Sequence, residues 1–300
     1  MALRDILVCL DVTAGGAGRL ELALNLAEAS KGHLTAVYTL PEPRDSAAPP
    51  AGVGLPPTVL GPVSPDGARA IGRLPVSAAA PVVQVLREAE RADAVEELFR
   101  AALPLHGLDG EWHMVDHTHL AELIELTKAT DLAILGQYPG DDSDGETWVR
   151  PDHVVTAAGR PVLVVPYAGT FSSVGKRVLV AWDGSREATR AVHDALPLIA
   201  AAEAVTVVSV AGRESGLERQ HPLFDRIVRH LERHGLAVRR EEDVQAGLRV
   251  CDLLLSLASD LKADLIVAGA YHHSQFREAV LGGVSRELLD HMTVPVLMSH

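Results

Sequence analysis

The fold is decided by the stretch Asp264-Leu-Ile-Val-Ala-Gly269, which a loop and a helix connect to Val294-Pro-Val-Leu-Met298. A buried strand that ends in glycine, a long loop, a helix and a strand led by proline are typical of one edge of a doubly wound α/β domain. The pattern also occurs earlier, as Asp131-Leu-Ala-Ile-Leu-Gly136 and Arg160-Pro-Val-Leu-Val-Val-Pro166. Two copies of one pattern predict a duplicated domain.

Both halves alternate apolar strands with helices in the same order, which predicts parallel sheets covered by helices on both faces. The first strand of each half ends at an aspartate, Asp11 or Asp183, before a helix begins. We therefore predict two tandem, open, five-stranded parallel sheets of the Rossmann-like α/β class. Their predicted domains span residues 1–168 and 176–300.

An insertion distinguishes the first half from the second. From Asp11 to Gly136 is 125 positions and from Asp183 to Gly269 is 86, so the first half carries 39 additional residues. Residues 41–81 are rich in Pro, Gly and Ala and lack apolar periodicity, which indicates a surface loop. The alternative is a lid over a ligand site or a partner-binding segment, because long loops in compact domains are often functional.

Composition excludes several classes of protein. Apolar residues make up 47% of the 300 residues and aromatic residues only 4%, which suits helix-covered parallel sheets. The formal net charge of −13 argues against nonspecific binding to nucleic acid or anionic membranes. We find no run of about 18 apolar residues and no cleavable leader, and we expect a cytoplasmic protein. Cys9 and Cys251 lie in different halves and are expected to be buried thiols rather than a disulfide.

Three stretches together resemble the universal stress protein family in its tandem form. They are Val-Ala-Trp-Asp183-Gly-Ser, the strand 264–269, and the tail from Leu281-Gly-Gly-Val-Ser to Val-Pro-Val-Leu. The resemblance covers nearly the whole chain outside residues 41–81. It implies strand order 3-2-1-4-5 in each domain, a fold like that of the adenine nucleotide α-hydrolases, and a role in the stress response. Some members bind ATP through Gly-x2-Gly-x9-Gly-Ser/Thr after the fourth strand, and others bind no nucleotide.

The second half keeps the spacing of that loop but changes two identities. His272 stands at the second glycine and Gly283 at the hydroxyl residue, while Ser285 follows two positions later. Glycines let backbone N–H groups approach phosphate oxygens, and the next helix offers its positive end. The His272 side chain fills space that a glycine leaves open, yet its imidazole can donate to a phosphate oxygen. The resemblance implies one site for ATP, with Mg²⁺, or for another adenine nucleotide, formed by Asp183, the backbone at Val210, Gly269, His272, Gly282, Gly283, Val284 and Ser285.

The loop after the fourth strand of the first half is acidic. Gly136 is followed by Asp141, Asp142, Asp144 and Glu146, and these carboxylates would repel a phosphate. Such a loop can be solvated or can attract a divalent cation. We therefore predict that the first half is a structural or partner-binding domain without nucleotide.

Two other functions remain open. One is an enzyme, either a slow ATP hydrolase or an adenylyl-transfer enzyme, although the sequence has no Gly-x-Ser-x-Gly, Gly-x4-Gly-Lys-Ser/Thr or His-Glu-x2-His motif. The other is a ligand-free dimerising or partner-binding scaffold. No catalytic residue and no protein metal site is predicted. The histidines of Asp116-His-Thr-His119 could bind a metal, but Asp116 or Thr118 is better interpreted as a helix cap.

The last strand of each half is expected at the end of its sheet. The resemblance implies that Pro161–Val165 and Pro295–Met298 pair antiparallel within the chain, as strands of two domains do across a dimer. Such pairing hides two sheet edges that would otherwise invite aggregation. The result would be an internal pseudo-dimer, which could associate further as a homodimer.

Overall fold

The computed structural model describes residues 3–11, 13–40, 76–116, 119–138, 149–209, 221–241, 249–270 and 283–300. Both halves alternate strands and helices. The first half contains β1 (Asp5–Leu10), α1 (Ala14–Ser30), β2 (His33–Leu40), α2 (Val76–Leu105), β3 (Gly110–Asp116), α3 (Leu120–Lys128), β4 (Leu132–Gly136), α4 (Pro151–Ala158) and β5 (Val162–Val165). The second half contains β6 (Arg177–Trp182), α5 (Arg186–Ile199), β7 (Ala204–Ser209), α6 (His221–Arg233), β8 (Val238–Glu241), α7 (Val250–Asp260), β9 (Leu265–Gly269), α8 (Gly283–His291) and β10 (Val296–Ser299).

The strands form one sheet in the order β3-β2-β1-β4-β5-β10-β9-β6-β7-β8. Counted from its own first strand, each half follows the order 3-2-1-4-5, and the strands within each half pair in parallel. The predicted α/β class and strand order are therefore confirmed. The two predicted five-stranded sheets, however, are joined into a single ten-stranded sheet.

The join is the antiparallel pair β5–β10. Val296 pairs with Val164, Leu297 with Leu163, and Met298 with Val162. All of these side chains are buried. The predicted internal pairing is confirmed, and it removes the exposed edge that each half would otherwise present.

Side chains alternate between the two faces of the sheet, so each face has its own apolar core. On β1, Ile6 and Val8 belong to the core covered by α1, α2, α5 and α6, whereas Leu7 and Cys9 belong to the core covered by α3, α4, α7 and α8. Each core contains residues of both halves. The halves therefore share their hydrophobic burial, which is the main source of stability.

A second contact between the halves comes from a buried amide. Gln137 directly follows β4, and its Nε2 donates to the carbonyl oxygens of Leu289 at 2.9 Å and Asp290 at 3.0 Å, in the last turn of α8. Its Oε1 accepts from the backbone N–H of Tyr167 at 3.3 Å. Carbonyl groups at a helix end have no partner within the helix. A side chain of the first half therefore caps a helix of the second.

Helix α2 begins at Val76, so the predicted loop at residues 41–81 is wrong for its last six residues. Residues 78–80 are all alanine, the residue type with the highest helix propensity. This propensity outweighs the Pro and Gly content of the segment as a whole. The rest of the predicted insertion lies outside the described residues, and the predicted domain boundaries stay predictions.

The thiols of Cys9 and Cys251 are both free and buried, as predicted. Burial raises the pKa of Cys9 to about 12 and that of Cys251 to about 11. Both thiols therefore stay protonated and act as small apolar groups. Within the described part of the chain, no helix is long and apolar enough to span a bilayer.

Candidate functional site

A cavity of about 230 Å³ opens in the second half at the carboxyl ends of β6 and β9. These neighbouring strands mark the point at which the strand order reverses, and open α/β sheets bind ligands at this point. The walls come from β6, β9, β10, and from the ends of α5, α7 and α8. The lining residues are Ala181, Asp183, Ser185, Glu187, Val250, Leu254, Ala268, Gly269, Gly283, Val284, Ser285, Leu288 and Met298.

The turn after β6 holds Asp183 at the cavity. Its Oδ1 accepts from the backbone N–H of Ser185 at 2.9 Å. Ser185 in turn is the N-cap of α5, and its Oγ accepts from the N–H of Ala188 at 3.0 Å. Ser185 therefore satisfies one of the first N–H groups of α5. Because one carboxylate oxygen of Asp183 is used in the turn, its side chain is oriented before any ligand arrives.

Gly269 ends β9 against the first turn of α5. A Cβ at this position would collide with the backbone of Glu187 and Ala188. Glycine is therefore required by packing alone, whether or not a ligand binds. Gly269 lies in the wall of the cavity as predicted, but its identity is weak evidence for a nucleotide.

The start of α8 forms another wall. Gly283, Val284 and Ser285 all line the cavity, with Ser285 buried and Val284 exposed. A Cβ added to Gly283 would meet no described atom within 4 Å, so packing among the described residues does not explain this glycine. The unpaired N–H groups at a helix start favour an anion. This wall is therefore the part of the cavity best suited to a phosphate.

Five of the eight predicted residues come together in this cavity. They are Asp183, Gly269, Gly283, Val284 and Ser285. Val210, His272 and Gly282 lie outside the described residues, so their roles stay predictions.

Glu187 is a wall residue that the sequence did not reveal. The residue is 4% exposed in the first turn of α5, and its Oε1 lies 3.0 Å from Nη2 of Arg186. A glutamate at the start of a helix is ordinary, because it offsets the positive helix end. The sequence places Glu187 two residues after the N-cap Ser185, in the turn that follows β6 at the switch point. This position was the available signal that Glu187 lies at the cavity.

The equivalent site in the first half is closed by Arg19. Its Nε donates to the carbonyl oxygen of Cys9 at 3.0 Å, and its guanidinium forms a buried ion pair with Asp11. The remaining cavity, lined by these residues and Gly136, is only about 10 Å³. A Cβ on Gly136 would lie 2.5 Å from Nη1 of Arg19. The guanidinium thus fills space next to Gly136 that the backbone of α5 fills next to Gly269 in the second half.

The ion pair also changes the acidity of Asp11. Burial raises the pKa of its carboxyl, but the Arg19 guanidinium and the N–H and hydroxyl of Thr13 together hold that pKa below its ordinary value. Asp11 is therefore charged and fully engaged at neutral pH. The acidic residues Asp141 to Glu146, which the sequence suggested would exclude a nucleotide, lie outside the described residues.

The predicted cap of α3 is only partly described. His119 occupies the N-cap position and makes no side-chain cap hydrogen bond, whereas Thr118 lies outside the described residues, so its capping role stays a prediction. His119 Nδ1 lies 3.9 Å from an Asp116 carboxylate oxygen. Over the described ranges, no group of three or more His, Cys, Asp or Glu residues is arranged to hold a metal ion.

Comparison with known proteins agrees with this geometry. The model of the universal stress protein family matches residues 175–300. Residues 175–300 form a universal stress protein domain. This domain contains the open cavity, whereas the family model does not match the half closed by Arg19.

Solved structures extend the fold to the whole chain. A universal stress protein from Archaeoglobus fulgidus DSM 4304 matches with a TM-score of 0.67 at 15% identity, covering 98% of this chain and 95% of that one. A functionally unknown protein from Pseudomonas aeruginosa PAO1 matches with a TM-score of 0.59 at 17% identity, covering 99% and 92%. Such low identity shows a shared fold alone. No curated protein sequence matched the chain.

Proposed function

We propose that the universal stress protein domain binds one adenine nucleotide in the cavity between Asp183 and the start of α8, and that the protein acts in the stress response through this ligand. The observation that carries the proposal is the meeting of Asp183, Gly269 and Gly283 to Ser285 around one cavity at the switch point. Asp183 would contact the adenosine, and the start of α8 would contact a phosphate.

The proposed action is binding rather than rapid turnover. Nucleotide at the mouth of the cavity would stabilise one arrangement of α8 and its surroundings, and a partner that prefers this arrangement would bind more tightly. The first half, whose equivalent site is filled by Arg19, would support the sheet or bind the partner. The alternative enzyme activity has less support, because the described wall of the cavity contains no lysine or arginine.

The first experiment asks whether the purified protein carries an adenine nucleotide. Protein prepared without added nucleotide is denatured, and the supernatant is separated by anion exchange with detection at the adenine absorbance band. Retained nucleotide near one equivalent would support the proposal. If none is retained, titration calorimetry with AMP, ADP and Mg²⁺-ATP tests for weaker binding, and no heat from any of them would contradict it.

A pair of variants then tests the location of the site. Gly283→Glu places a carboxylate at the start of α8, where a Cβ meets no described atom within 4 Å, and should weaken AMP binding about tenfold or more through charge repulsion. Gly18→Glu is the matched control, because Gly18 in α1 is equally free of neighbours and lies in the other half. Equal AMP affinity in both variants would place the phosphate elsewhere.

A further inference from the structure

A second cavity of about 290 Å³ lies in the second half, at the opposite end of the sheet from the candidate nucleotide site. This volume is close to the lower limit of roughly 300 Å³ for small-molecule pockets. The amino ends of β6, β7 and β8 and the segment after α7 line the cavity. The segments that lead into these strands, residues 166–176, 200–203 and 234–237, are all described, so the cavity is bounded by described residues where the strands begin.

Sheet geometry decides which side chains face this cavity. Val205 and Val207 belong to the core covered by α1, α2, α5 and α6, so Thr206 between them faces the other side of the sheet. Arg239 pairs directly with Thr206 across β7 and β8 and faces the same side. Ala263, in the cavity wall, belongs to the core on that side. Thr206 and Arg239 therefore both face the side of the sheet on which the cavity lies.

The polar groups of Thr206 and Arg239 are available to a ligand. Thr206 is only 5% exposed and lines the cavity. In the part of the chain that the structure describes, neither its hydroxyl nor the Arg239 guanidinium has a hydrogen-bond or ion-pair partner. A guanidinium has five N–H donors and no acceptor, and a hydroxyl can donate as well. The ligand that fits these two groups is therefore an acceptor with negative charge.

The lining charges also favour an anion, although the whole chain carries a net charge of −13. Arg177 is a second lining cation, and Glu203 is the one carboxylate among the described lining residues. Glu203 Oε2 lies 3.8 Å from Arg177 Nε, and the two side chains are 63% and 49% exposed. Such an exposed pair is weak, so an anion can replace Glu203 beside Arg177. The nearby Asp264 carboxylate already accepts from the backbone N–H groups of residues 175–177.

We propose that this cavity is a second ligand site, which binds a small phosphate-bearing anion through Arg239, Thr206 and Arg177. Guanidinium groups donate to phosphate oxygens in a fixed fork geometry. A phosphate group offers three acceptor oxygens and nearly two charges, which matches two guanidinium groups and a hydroxyl better than the two oxygens of a carboxylate. The site does not depend on the proposed adenine nucleotide, because the two cavities share no lining residue.

Titration calorimetry at constant ionic strength tests this site with three probes. They are inorganic phosphate, glycerol 3-phosphate, and succinate as a carboxylate of similar charge. The native protein should bind a phosphate probe at one site with a Kd of about 1 mM or tighter, and succinate at least about tenfold more weakly. The order of the two phosphate probes distinguishes free phosphate from a phosphate monoester as the ligand.

Two variants and a matched control test the assigned residues. Arg239→Gln should weaken binding of the phosphate probe about tenfold, because it removes a charge-assisted hydrogen bond. Thr206→Val keeps the branched shape and should weaken binding about threefold, because it removes only a neutral donor. Arg240→Gln is the control, because Arg240 is the next residue of β8, faces the opposite side of the sheet and pairs with Asp225 of α6. It should change affinity less than about twofold.

Three results would overturn the proposal. They are the absence of saturable binding of both phosphate probes up to about 10 mM, tighter binding of succinate than of phosphate, and equal losses in Arg239→Gln and Arg240→Gln. Gly283→Glu separates this site from the start of α8. Loss of phosphate binding in Gly283→Glu together with native affinity in Arg239→Gln would place the phosphate in the nucleotide cavity, and this result would overturn the proposal as well.

Discussion

The two switch points of the sheet share several residues but differ in open volume and at Arg19. Each half has an aspartate after its first strand, a hydroxyl residue capping the next helix, and a glycine at the end of its fourth strand. Eight residues after the aspartate, however, the first half has Arg19 and the second has Ala191. Beside the Arg19 guanidinium a cavity of about 10 Å³ remains in the first half, whereas the cavity in the second half measures about 230 Å³. Among the described residues, the two equivalent places thus differ greatly in open volume, and Arg19 fills part of the smaller one.

Removal of Arg19 should have the largest effect on stability. Arg19→Ala leaves the buried Asp11 carboxylate without its cation, and loss of one partner of a buried ion pair costs about 3–5 kcal/mol of the free energy of unfolding. Urea denaturation followed by circular dichroism measures this. Arg177→Ala, which breaks an exposed pair with Glu203, should cost less than about 1 kcal/mol. Similar losses in the two variants would show that the buried pair does not hold the first half together.

Acid should weaken the first half by a smaller amount than Arg19→Ala. The pKa of Asp11 is lower in the folded protein than in the unfolded chain, so the unfolded state takes up a proton first as the pH falls. The contribution of the pair is therefore full above about pH 4 and is lost as the pH falls from there through the lowered pKa. Denaturation series from pH 7 to pH 3 should show this loss. Asp11→Asn should reduce the slope, and an unchanged slope would contradict the pairing.

The sequence predicted the scaffold better than the site. Strand order and the β5–β10 pairing followed from the apolar runs and the family resemblance, because a buried parallel sheet has a strong pattern. Arg19 and Glu187 were missed, because an arginine or a glutamate in a helix usually faces solvent. Alignment of the halves on Asp11 and Asp183 would have set Arg19 against Ala191. Arg19 and Glu187 are buried because of packing between distant parts of the chain. The local sequence does not encode that packing.

The smallest expected effect concerns the contact that links the halves. Gln137 caps α8 from the first half, and α8 also lines the cavity. Gln137→Ala should cost about 1 kcal/mol of the free energy of unfolding, since two carbonyl groups lose a donor near a helix end that water can partly replace. Asn25→Ala, which removes a more exposed amide contact with the Ser172 carbonyl group, should cost less.

If the two halves act as one body, Gln137→Ala also weakens AMP binding slightly, by about twofold, whereas Asn25→Ala leaves it unchanged. An AMP affinity that is unaffected by Gln137→Ala would mean that the open site works without support from the closed half.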